Sequence, residues 1–238
     1  RQRIEEKILE KRNTVFAPDL VDAFLAASRR ESFWLNIASG RAAKTVRRHV
    51  REHGMPMALP QVRDLSSIFA SIVDRKSPYT FKHSHGVAEV AAETASFMGY
   101  APPEILRIEI AALLHDLGKL SVPDAILEKP DSLTTEERLI INQHSFYTLY
   151  LLENIDEMRN IGHWAAYHHE RLDGSGYPFG LTGTDIPPES RLLAVSDIYQ
   201  ALRESRPYRA PKEKEEALAI LRDMAHSGAI DPEMVDAL

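Results

Sequence analysis

The chain has no cysteine among its 238 residues. Disulfides, zinc–thiolate sites, iron–sulfur clusters and thiol nucleophiles are therefore excluded. Any metal site must instead draw on the 10 histidines and 35 acidic residues. No apolar run approaches the ~18 residues that a membrane-spanning helix needs, so we expect a cytoplasmic protein without a membrane span.

An excess of basic charge is also lacking. The 29 Lys and Arg residues stand against 35 Asp and Glu residues, which gives a formal net charge of −6. Sequence-independent binding to nucleic acid depends on surplus positive charge, so we expect no nucleic-acid partner. A predicted helix near the N-terminus has one basic face, formed by Arg41, Lys44, Arg48 and Arg51. We interpret this face as solvent-exposed or as part of a protein interface rather than as a nucleic-acid site.

Strand patterns are missing as well. No segment shows a convincing alternation of apolar and polar residues, whereas helical periods recur along the chain, which predicts an all-α fold. Breaks at Gly54 and Pro56 divide an N-terminal helical segment (1–60) from a second domain (61–238). The helices predicted in the two parts run over 4–12, 18–28 and 32–53, and over 65–75, 79–98, 103–117, 136–154, 157–170, 188–203 and 211–226.

The N-terminal segment has two interpretations. Residues 15–24 resemble residues 229–238, either because both begin a helix with proline near the first turn, or because residues 1–30 end a preceding related domain. We expect additional domains in the full-length chain. Phe33 and Trp34 are expected to pack the N-terminal helices on the main domain or to form a homodimer contact.

Ionisable side chains fall on the apolar stripes of five predicted helices. A single such histidine is ordinarily a hydrogen-bonded core residue. Burying many unpaired polar groups costs several kcal/mol each, so these side chains must meet one another or a cation. A shared centre with at least two metals would satisfy all of them, with Asp116 as the bridging carboxylate. The seven candidate ligands are His83, His115, Asp116, His144, His168, His169 and Asp197.

Several of these ligands lie in longer motifs. The chain resembles the HD-GYP family of metal-dependent phosphohydrolases, a branch of the HD superfamily, over roughly residues 65–238. The pattern HHExxDGxGYP, with HDxGK upstream, is highly specific. The matching stretches are His115-Asp116-Leu117-Gly118-Lys119, Val122-Pro123-Asp124, His168-His169-Glu170-Arg171-Leu172-Asp173-Gly174-Ser175-Gly176-Tyr177-Pro178, Arg206-Pro207-Tyr208-Arg209 and Asp231-Pro232.

The resemblance implies a helical bundle of the HD-domain type around a dinuclear metal centre, with extra N-terminal helices here. It implies hydrolysis of the bacterial second messenger cyclic di-GMP to linear pGpG, GMP or both, by attack of a metal-bridging hydroxide. Iron or manganese is the expected divalent ion, and zinc, cobalt and nickel stay open. One metal would be held by His83, His115, Asp116 and Asp197, and the other by Asp116, His144, His168 and His169.

The resemblance also implies substrate contacts. Lys119 would contact the scissile phosphate and Tyr177 a guanine, while Arg206 and Arg209 would bind the far phosphate. The chemistry of ligand histidines suggests a further set of groups behind them, because a metal-bound imidazole donates its other N–H to a carboxylate or carbonyl. We assign Glu170, Arg171 and Asp173 to this set.

The chain departs from the family pattern at four positions. Members with three metals carry Glu four residues before the first ligand histidine, and Tyr79 stands there instead, so two metals are expected. Ser77, His85 and Gln200 replace the usual Asp, Arg and Asp. The changes at Ser77, Tyr79 and Gln200 leave open a phosphohydrolase for another cyclic nucleotide. The N-terminal segment leaves open a second alternative, a slow-turnover sensor module that binds metal and nucleotide and passes a signal to neighbouring domains.

Overall fold

The computed structural model describes residues 1–38, 46, 56–76, 82–129, 131–205 and 210–238. The chain divides into two compact units, Arg1–Pro56 and Met57–Leu238. The described residues contain helices and no strand, apart from one isolated bridge between Arg12 and Phe16. The all-α prediction is confirmed. Within these ranges, no helix combines the length and the apolar character that crossing a bilayer requires.

The N-terminal unit contains α1 (Gln2–Glu10), α2 (Pro18–Ser28) and α3 (Glu31–Ala38). The rings of Phe24, Phe33 and Trp34 meet edge to face with centroids 5.3–6.3 Å apart. The indole N–H of Trp34 donates to the Ser28 carbonyl at 2.7 Å. Both aromatic residues of the predicted contact are thus packed inside this unit. The basic face formed by Arg41, Lys44, Arg48 and Arg51 lies outside the described residues.

The second unit is a bundle of nine described helices with three short 3₁₀ turns. The turns are Leu117–Ser121, Asp156–Met158 and Gly183–Asp185. The helices are α4 (Leu59–Lys76), α5 (His83–Phe97), α6 (Pro102–Leu114), α7 (Asp124–Leu127), α8 (Thr135–Leu152), α9 (Arg159–Ala166), α10 (Pro188–Arg203), α11 (Lys214–His226) and α12 (Pro232–Ala237). The bounds predicted for α10 are confirmed, and α7 was not predicted.

Local signals set several helix starts. Proline occupies the first turn of α6, α10 and α12, where its missing N–H costs no hydrogen bond. At the start of α8, the Glu137 N–H donates to the Thr134 hydroxyl at 3.2 Å. The Thr134 N–H donates back to the Glu137 carboxylate at 2.8 Å. This reciprocal pair is a capping box, which satisfies two backbone N–H groups at the helix start.

Helix α6 lies at the centre of the second unit. Ile108, Ile110 and Ala112 are fully buried, and the helix packs against α4, α5, α9 and α10. Hydrophobic burial of this kind stabilises by about 25 cal/mol per Å² of apolar surface. Because α6 is the core helix, the residues that follow its C-terminal end emerge inside the bundle rather than on its surface.

Two helices end earlier than the sequence predicts. Helix α6 ends at Leu114 and α9 ends at Ala166, so the neighbouring pairs His115–Asp116 and His168–His169 lie on turns beyond the helix ends. Adjacent residues of an α-helix point about 100° apart, since a turn takes 3.6 residues. Leaving the helix allows both side chains of each pair to point toward one centre.

Candidate metal centre

Five histidines and two aspartates converge inside the second unit. Their ligand atoms form three overlapping groups, each within 4.8 Å. Five of the seven side chains are buried, while those of His169 and Asp197 are 21% and 13% exposed. The groups are His83, His115 and Asp197; His115, Asp116 and His168; and His144, His168 and His169. All seven sequence-predicted ligands therefore come together.

Asp116 lies between the two outer groups. Its Oδ2 is 3.4 Å from His115 Nε2, and its Oδ1 is 3.4 Å from His144 Nε2. On one side, His83 Nε2 is 3.0 Å from Asp197 Oδ1. The two carboxylate oxygens of Asp116 thus face different histidines, which is the geometry that a bridging ligand needs.

Three of the histidines are oriented by their own backbone. In each, Nδ1–H donates to the carbonyl three residues earlier, which leaves Nε2 as an acceptor that points into the cluster. The distances are 2.7 Å for His115 to Ala112, 2.7 Å for His144 to Ile141 and 2.6 Å for His168 to Ala165. The backbone therefore fixes the tautomer that a metal requires.

His83 is oriented by a carboxylate instead. Its Nδ1 lies 3.1 Å from Glu204 Oε2, and Gln200 Nε2 donates to Glu204 Oε1 at 2.8 Å. The sequence interpretation missed Glu204. A signal was present, because Glu204 follows Asp197 by seven residues and two helical turns return a side chain to the same face. Gln200, one of the departures from the family pattern, thus supports the residue behind His83.

Electrostatics at the centre favour ionised carboxylates. Burial would raise the pKa of Asp116, but Lys119 and His115 hold that pKa well below its usual range. Burial would likewise raise the pKa of Asp197, yet the hydrogen bond with His83 lowers it strongly. Both aspartates are therefore negative at neutral pH, as metal ligands must be.

The histidines separate into two kinds. Burial lowers the pKa of His169 to about 3, against the opposing effect of Asp197, and burial also places the pKa of His168 well below its usual value. Burial would lower the pKa of His83 too, but hydrogen bonds with Asp197 and Glu204 raise it to about 10. Neutral imidazole, the form that binds metal, is thus already favoured at His168 and His169.

Two features show that these residues fit a metal. Asp116 Oδ1 is buried and has no hydrogen-bond partner within the described ranges, which is costly for a carboxylate oxygen. His144 Nε2 and His168 Nε2 are 3.5 Å apart, although both are acceptors. A divalent cation held by these residues would relieve both deficits, because carboxylate oxygens and imidazole nitrogens can donate lone pairs to it. Imidazole and carboxylate donors suit iron, manganese, cobalt, nickel or zinc.

Lys119 lies beside the cluster on the 3₁₀ turn that follows α6. Its Nζ is 2.5 Å from Asp116 Oδ2, and its side chain is 22% exposed. The turn packs closely on α8, since the Gly118 N–H donates to the Thr148 hydroxyl at 2.9 Å. A Cβ at Gly118 would lie 1.9 Å from the His144 carbonyl, so only glycine permits this approach. The ammonium is therefore placed between the cluster and solvent.

The loop after the paired histidines places Tyr177 at the edge of the cluster. The rings of Tyr177 and His169 have centroids 4.8 Å apart. Glu170, which is buried, accepts from the backbone N–H groups of Phe179 and Leu181 at 2.8 and 2.9 Å. The sequence predicts Glu170 behind a ligand histidine, whereas its hydrogen bonds to these two N–H groups hold this loop.

The other predicted residues differ in position. Arg171 donates to the Glu170 carbonyl at 3.1 Å, and Asp173 accepts from the Ser175 hydroxyl at 2.7 Å within its own turn. His85 Nε2 is 2.9 Å from the Ser67 hydroxyl. The residues expected at the far phosphate and two of the departures lie outside the described residues, namely Arg206, Arg209, Ser77 and Tyr79.

A helical bundle that encloses five imidazoles and two carboxylates is an arrangement typical of metal-dependent enzymes, hydrolases among them. The chain belongs to the HD domain family, whose pattern matches residues 67–234. The resemblance to HD-GYP proteins is confirmed at the level of this family.

Known proteins similar to the chain act on cyclic dinucleotides. It is 37% identical over 182 residues to the 3'3'-cGAMP-specific phosphodiesterase 1 of Vibrio cholerae, covering 76% of this chain and 42% of the relative. It is 38% identical over 179 residues to the cyclic di-GMP phosphodiesterase response regulator RpfG of Xanthomonas campestris, covering 74% and 47%. The chain thus spans less than half the length of these curated relatives.

Solved structures share the fold. A cyclic GMP-AMP-specific phosphodiesterase from V. cholerae superposes with a TM-score of 0.55 at 29% identity, over 99% of this chain and 54% of the other. The HD-GYP-type protein Bd1817 of Bdellovibrio bacteriovorus gives a TM-score of 0.56 at 19% identity, over 80% and 66%. At that identity, the second likeness concerns the fold alone.

The hydrogen bond between Glu204 and His83 leads to a first prediction. Glu204→Gln keeps the size of the side chain but removes the charge behind the imidazole. We expect the affinity for divalent metal to fall about 10- to 100-fold, as for other carboxylates behind ligand histidines. Competition titration with a chromogenic chelator measures this affinity. Glu213→Gln, at a side chain that is 91% exposed, is the matched control; equal affinities for both variants would contradict the prediction.

Proposed function

We propose that the chain is a metal-dependent phosphodiesterase that hydrolyses cyclic di-GMP. The observation that carries the proposal is Asp116 between two groups of histidines, with Lys119 beside it. The named activities of the relatives support it. The seven ligands are the kind that hydrolytic metal centres use, and a lysine on their solvent side is what an anionic substrate requires.

The two outer groups would each hold one divalent ion. His83, His115, Asp116 and Asp197 would bind one, and Asp116, His144, His168 and His169 the other. When bound, such ions lower the pKa of water and neutralise charge on a phosphodiester. Iron and manganese are the first candidates, and zinc, cobalt and nickel suit the same donors.

The side chains around the ligands bind and orient the substrate. Lys119 places a positive charge beside Asp116, where the substrate phosphate would bind. This ammonium stabilises the negative charge that develops on the phosphoryl oxygens or on the leaving alcohol. Tyr177 offers an aromatic face to a guanine at the edge of the cluster. Arg206 and Arg209 are proposed to hold the second phosphate of the ring, for which a guanidinium fork is suited.

A second candidate substrate is 3'3'-cGAMP. Two relatives at 37% and 39% identity carry this specificity in their names. Gln200, where the family usually has Asp, gives an independent reason to test it, because Gln200 contacts the carboxylate that orients His83. The homodimer contact, the additional domains and the cytoplasmic location stay predictions.

The experiment compares three nucleotides with protein purified without chelators. Bound metal is measured by elemental emission, and products from cyclic di-GMP, 3'3'-cGAMP and cyclic AMP are separated by chromatography. Formation of pGpG or GMP supports the proposal, whereas selective loss of 3'3'-cGAMP favours the second substrate. Tight binding without turnover indicates a sensor module. A metal-loaded protein that neither binds nor cleaves any cyclic dinucleotide overturns the proposal, and His115→Ala protein controls for contaminating activity.

A further inference from the structure

Lys76 is the last residue of α4, and its ammonium lies against the backbone that carries Lys119. Its Nζ donates to the carbonyls of Lys119, Leu120 and Val122 at 3.2, 3.0 and 2.6 Å. It also forms an ion pair with Asp124 Oδ1 at 3.3 Å. The side chain is 19% exposed, so it reaches these atoms from within the bundle rather than from solvent.

The number of N–H donors on the Lys76 ammonium equals the number of turn carbonyls around it. A lysine has three N–H donors and no acceptor, and three carbonyls converge on it here. The 3₁₀ turn Leu117–Ser121 is short, and such turns leave carbonyls without helical partners at their end. The Lys119 carbonyl also accepts from the Val122 N–H at 3.1 Å, and Lys76 adds a charged donor to it and to the carbonyls of Leu120 and Val122. Hydrogen bonds from a charged group are stronger than neutral ones.

The opposite side of the turn is held separately. The Gly118 N–H bonds to the Thr148 hydroxyl, and the Lys119 N–H bonds to the Asp116 carbonyl at 2.9 Å. The turn is thus fixed from α8 at its start and from α4 at its end. Each attachment is made by one side chain, Thr148 on α8 and Lys76 on α4, and Lys76 binds the Lys119 carbonyl directly.

We propose that Lys76 is a positioning residue that holds Lys119 in register with Asp116, and this inference rests on the proposed function. It gives the Val122-Pro123-Asp124 motif a role, because the carbonyl of its first residue and the carboxylate of its last both contact Lys76. The side chain of Lys76 acts through the backbone of the turn.

Kinetics of Lys76→Met test the proposal. We expect kcat to fall about 10- to 100-fold, the range that a misplacement of about 1 Å can cause. KM and metal content stay near the wild-type values, because neither the ligands nor the nucleobase contacts change. Lys129→Met is the matched control: Lys129 is 26% exposed and pairs with Glu137, away from the turn. A kcat equal to that of the control overturns the inference.

A double-variant cycle separates positioning from general stability. If Lys76 acts through Lys119, then adding Lys76→Met to Lys119→Met leaves kcat unchanged, because the group being positioned is already gone. Losses that multiply would show that Lys76 affects turnover by another route, and would overturn the proposal. If the methionine variant folds poorly, Lys76→Arg replaces it in both experiments. The planar guanidinium cannot direct three N–H groups to the three carbonyls as the tetrahedral ammonium does.

A further readout is independent of activity. Amide hydrogen exchange at residues 118–122 is expected to be faster in Lys76→Met than in wild type, and unchanged in Lys129→Met. If the wild type cleaves no cyclic dinucleotide, the proposed function fails while this exchange result still stands. Equal protection in all three proteins would show that Lys76 does not hold the turn.

Discussion

Asp116→Asn is expected to lose turnover and bound metal together. The substitution preserves shape but removes the negative charge between the two histidine groups. It also replaces one carboxylate oxygen with an NH₂ that cannot bind a cation. Because Asp116 Oδ1 and Oδ2 face His144 and His115 respectively, either amide orientation removes a donor from one group.

The expected loss in kcat is on the order of 10³-fold or more, which corresponds to about 4 kcal/mol of transition-state stabilisation. Elemental emission on protein purified without chelators should show fewer ions per chain than in wild type. Asp64→Asn, at a side chain that is 74% exposed, is the control for carboxylate loss. An Asp116→Asn protein that keeps its ions and its rate would show that this carboxylate is not shared between two metals.

Lys119→Met is expected to lower kcat while the metals stay bound. The ammonium contacts Asp116 Oδ2 but donates protons, so it is not a ligand and its removal leaves the donor set complete. The lost positive charge would otherwise face the phosphate in the transition state. Removing one such electrostatic contact costs about 10²- to 10³-fold in rate.

Steady-state rates and metal content of the same preparation test this prediction. Lys119→Arg keeps the charge and is expected to retain more activity than Lys119→Met, although its bulkier head group fits the turn less well. Full activity in Lys119→Met would remove this lysine from the mechanism. Loss of metal would instead mean that the Lys119–Asp116 contact holds the bridging carboxylate in place.

The convergence of the seven candidate ligands was predictable because burial of charge is expensive. A histidine or aspartate on an apolar helical stripe needs a partner, and five such helices point to a shared one. The prediction that all of these side chains lie on helices was less accurate. His115, Asp116, His168 and His169 lie on turns, since two neighbouring side chains of a helix cannot aim at the same point.

The buried face of α8 shows a second limit of prediction from sequence. Its pattern places Tyr147 and Leu151 beside His144, yet these side chains are 37% and 47% exposed. Ser145 and Thr148 are buried instead. The Thr148 hydroxyl bonds the His115 carbonyl at 3.1 Å, and a hydroxyl that serves a neighbouring backbone leaves no apolar signal in the sequence.

Lys76 could not be found from the sequence for a related reason. Its partners are main-chain carbonyls 43 to 46 residues away, and any residue at those positions would present them. Glu204 was closer to prediction, because it follows Asp197 by seven residues, the spacing of about two helical turns, although the helix ends at Arg203. A side chain that binds backbone far away in the sequence leaves no pattern of residue types, unlike a local capping residue such as Thr134.

The pairing of His83 with Asp197 has a consequence for the candidate metal centre. These residues are 114 positions apart, yet their ligand atoms are 3.0 Å apart, one on α5 and the other on α10. Sliding one helix along the other by a fraction of a turn would separate the two donors. The integrity of this half of the candidate centre therefore depends on the relative register of α5 and α10, and not only on the presence of its side chains.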